Sequence, residues 1–301
     1  MNSTVDFSDI QQIHVSGPVS TAGLFFKGAW RSIFRSQGVL VHPQPKQLLA
    51  EMRGVQADPA KVKLYRETCG YPSHCGELPL PFPETLFNGL LGRLVTSRHF
   101  PLSPVGLIHI GQGITQYQPL HETAVFDLCC RMSGLAHTDR GIELNVAFEV
   151  RGEGDLVWDG MAYFLSRSPE TLKGKRKKTG HLAEPPPAGS LRIDVPGNTG
   201  LRYAKASGDY NPHHLYPLTA KPLGYKRPIA HGMWSLARSL AEIQKEMPLP
   251  YPVSVRAEFK LPIYMPATVA LNWEKNERGK RTVFKLCDAR SGRPHVKGSI
   301  E

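Results

Sequence analysis

The sequence contains no run of eighteen or more uncharged apolar residues, so no membrane-spanning helix is expected. Residues 1–15 lack the basic-then-apolar order of a secretory signal and carry Asp6 and Asp9. Cysteine is scarce: Cys69, Cys75, Cys129, Cys130 and Cys287 make five, an odd number, two of them adjacent and none in a Cys-x-x-Cys pair. That spacing argues against a disulfide framework and against a structural zinc site, and a reducing cytoplasm is the expected compartment. Zinc-finger spacing, an RNA-binding aromatic signature and a heptad-linked basic region are all missing. Nucleic acid is therefore not an expected partner, although the net charge is +11.

What is present suits two globular units. The chain has 301 residues, 41% of them apolar and 21% charged, enough to bury a core and more than one small domain needs. Residues 168–190 have no apolar period. They hold Lys173, Lys175, Arg176, Lys177 and Lys178, then Glu184-Pro185-Pro186-Pro187-Ala188-Gly189, and read as a basic, proline-rich linker. The expected division is an N-terminal domain over 1–167, the linker over 168–190 and a C-terminal domain over 191–301.

The two parts share an order of elements. In the C-terminal part, Met233, Leu236, Ala237, Leu240, Ile243 and Met247 recur at helical steps, which predicts a helix over 231–247. Val253, Val255, Ala257, Phe259 and Leu261 then alternate like a strand, as do Val269, Leu271 and Trp273, and a further strand follows over 282–287 after a turn at 276–279. In the N-terminal part, Leu86, Phe87, Leu90, Leu91, Leu94 and Val95 predict a helix, followed by strands over 107–115, 124–130, 142–150 and 156–164. In each half the longest expected helix precedes at least three strands, which indicates a duplication. Short matches agree: Tyr65 to Gly70 can be laid on Tyr203 to Gly208, and Pro79-Leu80-Pro81-Phe82-Pro83 on Pro228-Ile229-Ala230-His231-Gly232. Where the second half has Asp209, the first has Tyr71.

The chemistry-bearing segment is Ser207-Gly208-Asp209-Tyr210-Asn211-Pro212-His213-His214. Gly208 permits backbone conformations closed to other residues, and Asn211-Pro212 favours a turn. A carboxylate and an imidazole five residues apart across such a turn can face one point, hold a water, take its proton and return a proton elsewhere. Either residue alone would more often be a cap or a surface group. The second element is Gly232 at the start of a long helix, where backbone N–H groups have no intrahelical partner and the dipole is positive. Such a site suits the oxyanion of an enolate.

Tyr203-x-x-x-Ser207-Gly208-Asp209-x-Asn211-Pro212-x-His214, followed by Gly224 and Pro228-Ile229-Ala230-His231-Gly232-Met233, resembles the hydratase-2 motif of MaoC-like (R)-specific enoyl-CoA hydratases and 3-hydroxyacyl-thioester dehydratases. The resemblance covers about residues 191–270 and is weaker over the N-terminal half. It implies an α+β, double hot-dog fold in which each half is a long helix wrapped by an antiparallel sheet, the first half being degenerate. It implies that Asp209 and His214 form the acid/base pair, that Asn211 and Ser207 support them, and that the Gly232 N–H polarises the thioester carbonyl. His231 and Phe259 become substrate-binding candidates, although core packing is the plainer reading of Phe259. The reaction implied is reversible addition of water to trans-2-enoyl thioesters to give (R)-3-hydroxyacyl thioesters, with no cofactor and no metal. The implied partner is an acyl-CoA or acyl carrier protein thioester, and a homodimer of double hot-dog chains is the expected assembly.

Departures from the family pattern are His213, where an aliphatic residue is usual, and Tyr216, where Asp often precedes the proline. The spacing selects His214 as the base and leaves His213 as a packing neighbour. Trp234 and Tyr210 are expected to pack. An acyl-CoA thioesterase and a non-catalytic acyl-thioester binder are the alternatives on the same fold.

Overall fold

The computed structural model describes residues 3–15, 39–41, 44–73, 76–168, 184–275 and 281–301. The basic cluster at Lys173 to Lys178 and the turn at 276–279 lie outside the described residues. In the N-terminal half the strands are β1 (Ser3–Thr4), β2 (Ile10–His14), β3 (Gln47–Gln56), β4 (Leu107–Gln116), β5 (Val125–Thr138), β6 (Gly141–Gly152) and β7 (Asp155–Arg167), with helices α1 (Pro59–Cys69) and α2 (Asn88–Val95) between β3 and β4. The C-terminal half has β8 (Leu191–Val195), α3 (Thr199–Ser207), the single turn α4 (Pro217–Ala220), α5 (Gly232–Glu246), β9 (Val253–Phe259), β10 (Ala267–Lys275), β11 (Thr282–Asp288) and β12 (Pro294–Ile300).

All the described strands belong to one sheet, in the order β2-β3-β5-β6-β7-β4-β9-β12-β11-β10-β8, with β1 on β5. From β3 to β4 the five strands of the first half run first, third, fourth, fifth, second. From β8 back to β9, the five of the second half run in the same order. The halves meet where β4 pairs antiparallel with β9, from Gly111 opposite Glu258 to Gln116 opposite Val253. Two copies of one topology, joined edge to edge about a local pseudo-two-fold axis, make the double hot-dog fold. The sheet departs from the expected all-antiparallel pattern in one place: β2 lies parallel to β3 at the edge.

Each half buries helices against its sheet. Met233, Leu236, Ala237, Leu240, Ala241 and Ile243 of α5 are all buried, the pattern of a helix enclosed by its sheet rather than laid on a surface. The N-terminal counterpart is not the long helix expected from the sequence. It is a 3-10 turn (Phe82–Phe87) running into the eight residues of α2, so among the described residues the longer α-helix of that half is α1 with eleven. Pro79, Pro81 and Pro83 account for the difference. A proline inside the run would remove an N–H and clash with the preceding turn, so regular α-helix begins only beyond them.

The duplication extends to detail. Gly70 ends α1 at φ 83° and Gly208 ends α3 at φ 84°, each donating its N–H four residues back, to Arg66 and Ala204. Both are left-handed caps that a Cβ would strain. α1 and α3 pack on each other, and the matched Tyr65 and Tyr203 meet there with ring centroids 5.8 Å apart. One apolar core runs through both halves, from Leu48 and Phe148 to Leu240 and Val269.

Candidate active site

The turn after α3 is built by its own polar groups. Asp209 N–H donates to Ser207 Oγ at 3.1 Å. Asp209 Oδ1 accepts from the backbone N–H and from the side-chain Nδ2 of Asn211, at 3.1 and 2.8 Å. Pro212 then fixes φ at the start of a 3-10 turn (Pro212–His214) that carries His214 inward. Gly200 permits this: a Cβ there would overlap the His214 carbonyl, so only glycine lets α3 lie against the turn.

His214 is buried, and its Nδ1 sits 2.7 Å from the Ile229 carbonyl oxygen. A carbonyl can only accept, so Nδ1 carries the proton and Nε2 keeps its lone pair when the ring is neutral. Neutrality is enforced: burial first, then the neighbouring His231, push His214 down to about 3. His231, the residue before α5, is 2% exposed and donates Nε2–H to the Asp209 carbonyl at 3.1 Å. Its Nε2 also lies 3.7 Å from Asp209 Oδ2, the geometry of an ion pair, but burial drives its pKa to about 3 and the contact is one between a neutral ring and a carboxylate. The His214 and His231 rings stack with centroids 3.6 Å apart. Two neutral imidazoles tolerate that spacing, whereas two cations would repel.

Asp209, His214 and His231 offer nitrogen and carboxylate atoms that all lie within 4.8 Å of one another. They are the described residues that could hold a metal ion, and the same span suits one water molecule. Asp209 keeps 30% of its side chain accessible, so the point of convergence opens outward.

The remaining expected residues are placed as follows. Gly232 is the first residue of α5, where the helix gives its N–H no partner. The Phe259 ring lies on Gly232: a Cβ there would come within 3.0 to 3.1 Å of three ring carbons. His213 stacks on Tyr225 at 5.2 Å and accepts the Ile229 N–H with its carbonyl, a packing arrangement. Trp234 is buried and donates Nε1–H to the Thr68 carbonyl across the two halves. Tyr210 does not pack as expected; it is 37% exposed, because the turn points it away from the core. At the one-turn helix α4 the cap lost with Tyr216 is replaced by Thr219, whose Oγ1 accepts the Tyr216 N–H and donates to the Pro212 carbonyl.

Three residues of the N-terminal half, not singled out from sequence, also reach this region. His109 on β4 meets the Phe259 ring edge-on at 5.0 Å and bonds Gln112 at 3.2 Å. Burial lowers its pKa to about 4, against the opposing pull of Asp209. Glu84, in the 3-10 turn before α2, is 8% exposed; burial, reinforced by the Asp209 charge, pushes it up to about 8. Asn88 donates Nδ2–H to the Ser207 carbonyl at 2.8 Å. A carboxylate in a run from Leu78 to Phe87 whose one other polar residue is Thr85 was the local signal for Glu84. His109 and Asn88 carried none.

Fold and site together define a duplicated hot-dog protein with Asp209 and His214 on one turn in its second half and Tyr71 at the place matching Asp209 in the first. A MaoC like domain matches residues 182–297. The 3-hydroxyacyl-thioester dehydratase X of Mycobacterium tuberculosis is 32% identical over 245 residues, covering 81% of this chain and 85% of that protein. The peroxisomal enoyl-CoA hydratase 2 of Arabidopsis thaliana is 29% identical over 183 residues, 55% of this chain and 58% of that one. The crystal structure of HtdX from Mycobacterium tuberculosis superposes with a TM-score of 0.72 at 28% identity, over 84% of this chain and 98% of its own. The chain belongs to the MaoC-like dehydratase family.

Proposed function

We propose that this protein catalyses the reversible hydration of trans-2-enoyl thioesters and dehydration of (R)-3-hydroxyacyl thioesters in fatty-acid metabolism, with one active site per chain in the C-terminal half. The observation that carries the reading is the convergence of the Asp209 carboxylate and the His214 and His231 imidazoles within 4.8 Å, directly before the first turn of α5. The named relatives, a dehydratase and a hydratase, support the same reaction class.

In this reading Asp209 and His214 Nε2 hold one water. Its oxygen adds to C3 of the enoyl group as its proton passes to the pair, and C2 takes a proton on the same face. The thioester oxygen, which gains charge as the enolate forms, is bound by the Gly232 N–H at the positive end of α5. Asn211 and Ser207 keep Asp209 in place. His231 braces the same turn through the Asp209 carbonyl, and Phe259 with His109 forms the wall beside Gly232. The thioester is carried by coenzyme A or by an acyl carrier protein, both anionic and both matched to a chain of net charge +11. The assignment extends to a catalytic unit over 191–301, a linker over 168–190, a homodimeric assembly and a cytoplasmic setting. No helix among the described residues is long and apolar enough to cross a membrane.

The test is hydration of crotonyl-CoA and longer enoyl-CoA or enoyl-carrier-protein substrates, followed by loss of the conjugated thioester absorbance. Asp209→Asn and His214→Ala should each lower kcat by about a hundredfold or more, the scale of a lost acid/base group. Full activity in both variants would sink the assignment, and release of free CoA without hydration would favour a thioesterase.

A further inference from the structure

We propose that Asn88, in the half that lacks the acid and the base, is a positioning residue of the active site and holds Asp209 in its working orientation. The inference rests on the function proposed above.

Ser207 is the last residue of α3, and its carbonyl is one of the four at a helix end that have no partner within the helix. Asn88, the first residue of α2 and 119 positions away, satisfies it with an Nδ2–H bond of 2.8 Å. The Ser207 carbonyl and the Gly208 N–H belong to one planar peptide unit, so a bond to the oxygen fixes the plane from which the Gly208-Asp209 turn departs. Gly208, at φ 84°, is the residue with the greatest backbone freedom in the turn. The other bonds that hold Asp209 come from Ser207, Asn211 and His231, all within the same half, and the first two move with the turn. Asn88 alone among these ties it to the other half: to the segment that runs from the 3-10 turn at Phe82–Phe87, which packs against α3, into α2.

The duplication supplies an internal control. In the other direction, Arg238 of α5 donates Nη1–H to the carbonyl of Cys69, the last residue of α1, at 3.4 Å. Cys69 precedes Gly70 as Ser207 precedes Gly208. Each half thus grips the same carbonyl of the other, but only one gripped turn carries a carboxylate at the following position. A purely structural role predicts equal consequences for losing either bond. A positioning role predicts that turnover depends on Asn88 alone.

The experiment compares full-length wild type, Asn88→Leu, Asn88→Ala and Arg238→Met. It measures kcat and KM on an enoyl-CoA, and hydrogen–deuterium exchange of peptides covering 204–214 and 66–73. In both Asn88 variants kcat should fall by about tenfold or more with KM changed by less than about threefold, since a small displacement of a catalytic group costs turnover steeply. Exchange should quicken in 204–214. Arg238→Met should keep kcat within about twofold of wild type while exchange quickens in 66–73. Wild-type kcat in the Asn88 variants overturns the proposal, as does an equal loss of kcat in Arg238→Met. A wild-type enzyme that hydrates no enoyl thioester overturns the proposed function instead. The Asn88 hold is then judged by exchange alone, where unchanged protection over 204–214 overturns it.

Discussion

His213, His214 and His231 are held neutral by burial, with pKa values near 3, and His109 near 4. Free imidazole sits at 6.5, so the unfolded chain binds protons between these values that the folded chain refuses. Their contribution to stability is therefore complete above about pH 6.5 and is lost as pH falls toward the folded values. Glu84 acts in the opposite direction. Its folded pKa of about 8 lies above the ordinary 4.5, so the folded chain keeps a proton that the unfolded chain releases, and stability drains as pH rises from about 4.5 through 8. Melting temperature measured against pH should fall on both sides. Glu84→Gln should remove part of the alkaline fall and leave the acid one intact; identical alkaline slopes in wild type and variant would refute the assignment of that limb. At this scale the sequence was readable where the chemistry is contiguous. Asp209 and His214 share one turn and one motif. Glu84, Asn88 and His109 come to the same place through the packing of the Phe82–Phe87 turn on α3 and the β4–β9 ladder, which no local pattern records.

Elements place these groups through a few backbone contacts. α3 lies against the turn bearing His214 because Gly200 has no Cβ; an added methyl would overlap the His214 carbonyl and also meet Met265 Cε at 2.9 Å. Carbonyl backbone cannot swing away like a side chain, so α3 or the turn must shift. Gly200→Ala should destabilise the protein by about 1–3 kcal/mol, the usual cost of overpacking, and should lower kcat along with it. Thermal melting and hydration assays on one preparation check this; a variant with unchanged melting and unchanged turnover would show that α3 does not position His214. The sequence pattern gave α5 nearly to the residue, because its apolar positions persist for four turns and Gly232 marks the start. It misjudged the matching helix of the first half. Apolar residues at three- and four-residue steps satisfy a 3-10 turn followed by a short helix as well as one long helix, and the prolines at 79, 81 and 83 decide between them. β8 has only five residues in which alternation could show, and in β12 the period-two positions are Val296, Gly298 and Ile300, where the glycine interrupts the apolar pattern.

Across the whole molecule, the N-terminal half is a structural requirement of the half that carries Asp209 and His214. Without β4, one edge of β9 would present unpaired N–H and C=O groups over Val253 to Glu258, an invitation to aggregation. Tyr203 would lose the Tyr65 ring and be uncovered at its place in the core. The Trp234 indole N–H would lose the Thr68 carbonyl, and the Ser207 carbonyl would lose Asn88. Each loss falls on α3, α5 or β9, the elements that carry Ser207, Gly232 and Phe259. Residues 191–301 expressed alone should therefore be insoluble, or soluble and inactive. A second copy pairing through β9 would restore a covered edge and put a second Tyr203 where Tyr65 stands, but would supply no Asn88. Co-expression with residues 1–190 should restore soluble, active protein, because the β4–β9 ladder and the α1–α3 contact then form between chains as they do within one. Size-exclusion chromatography followed by the hydration assay separates these outcomes. An isolated 191–301 that elutes as a soluble species with the kcat of the full chain would contradict the argument, for the N-terminal half would then be dispensable to both the fold and the turn that holds Asp209.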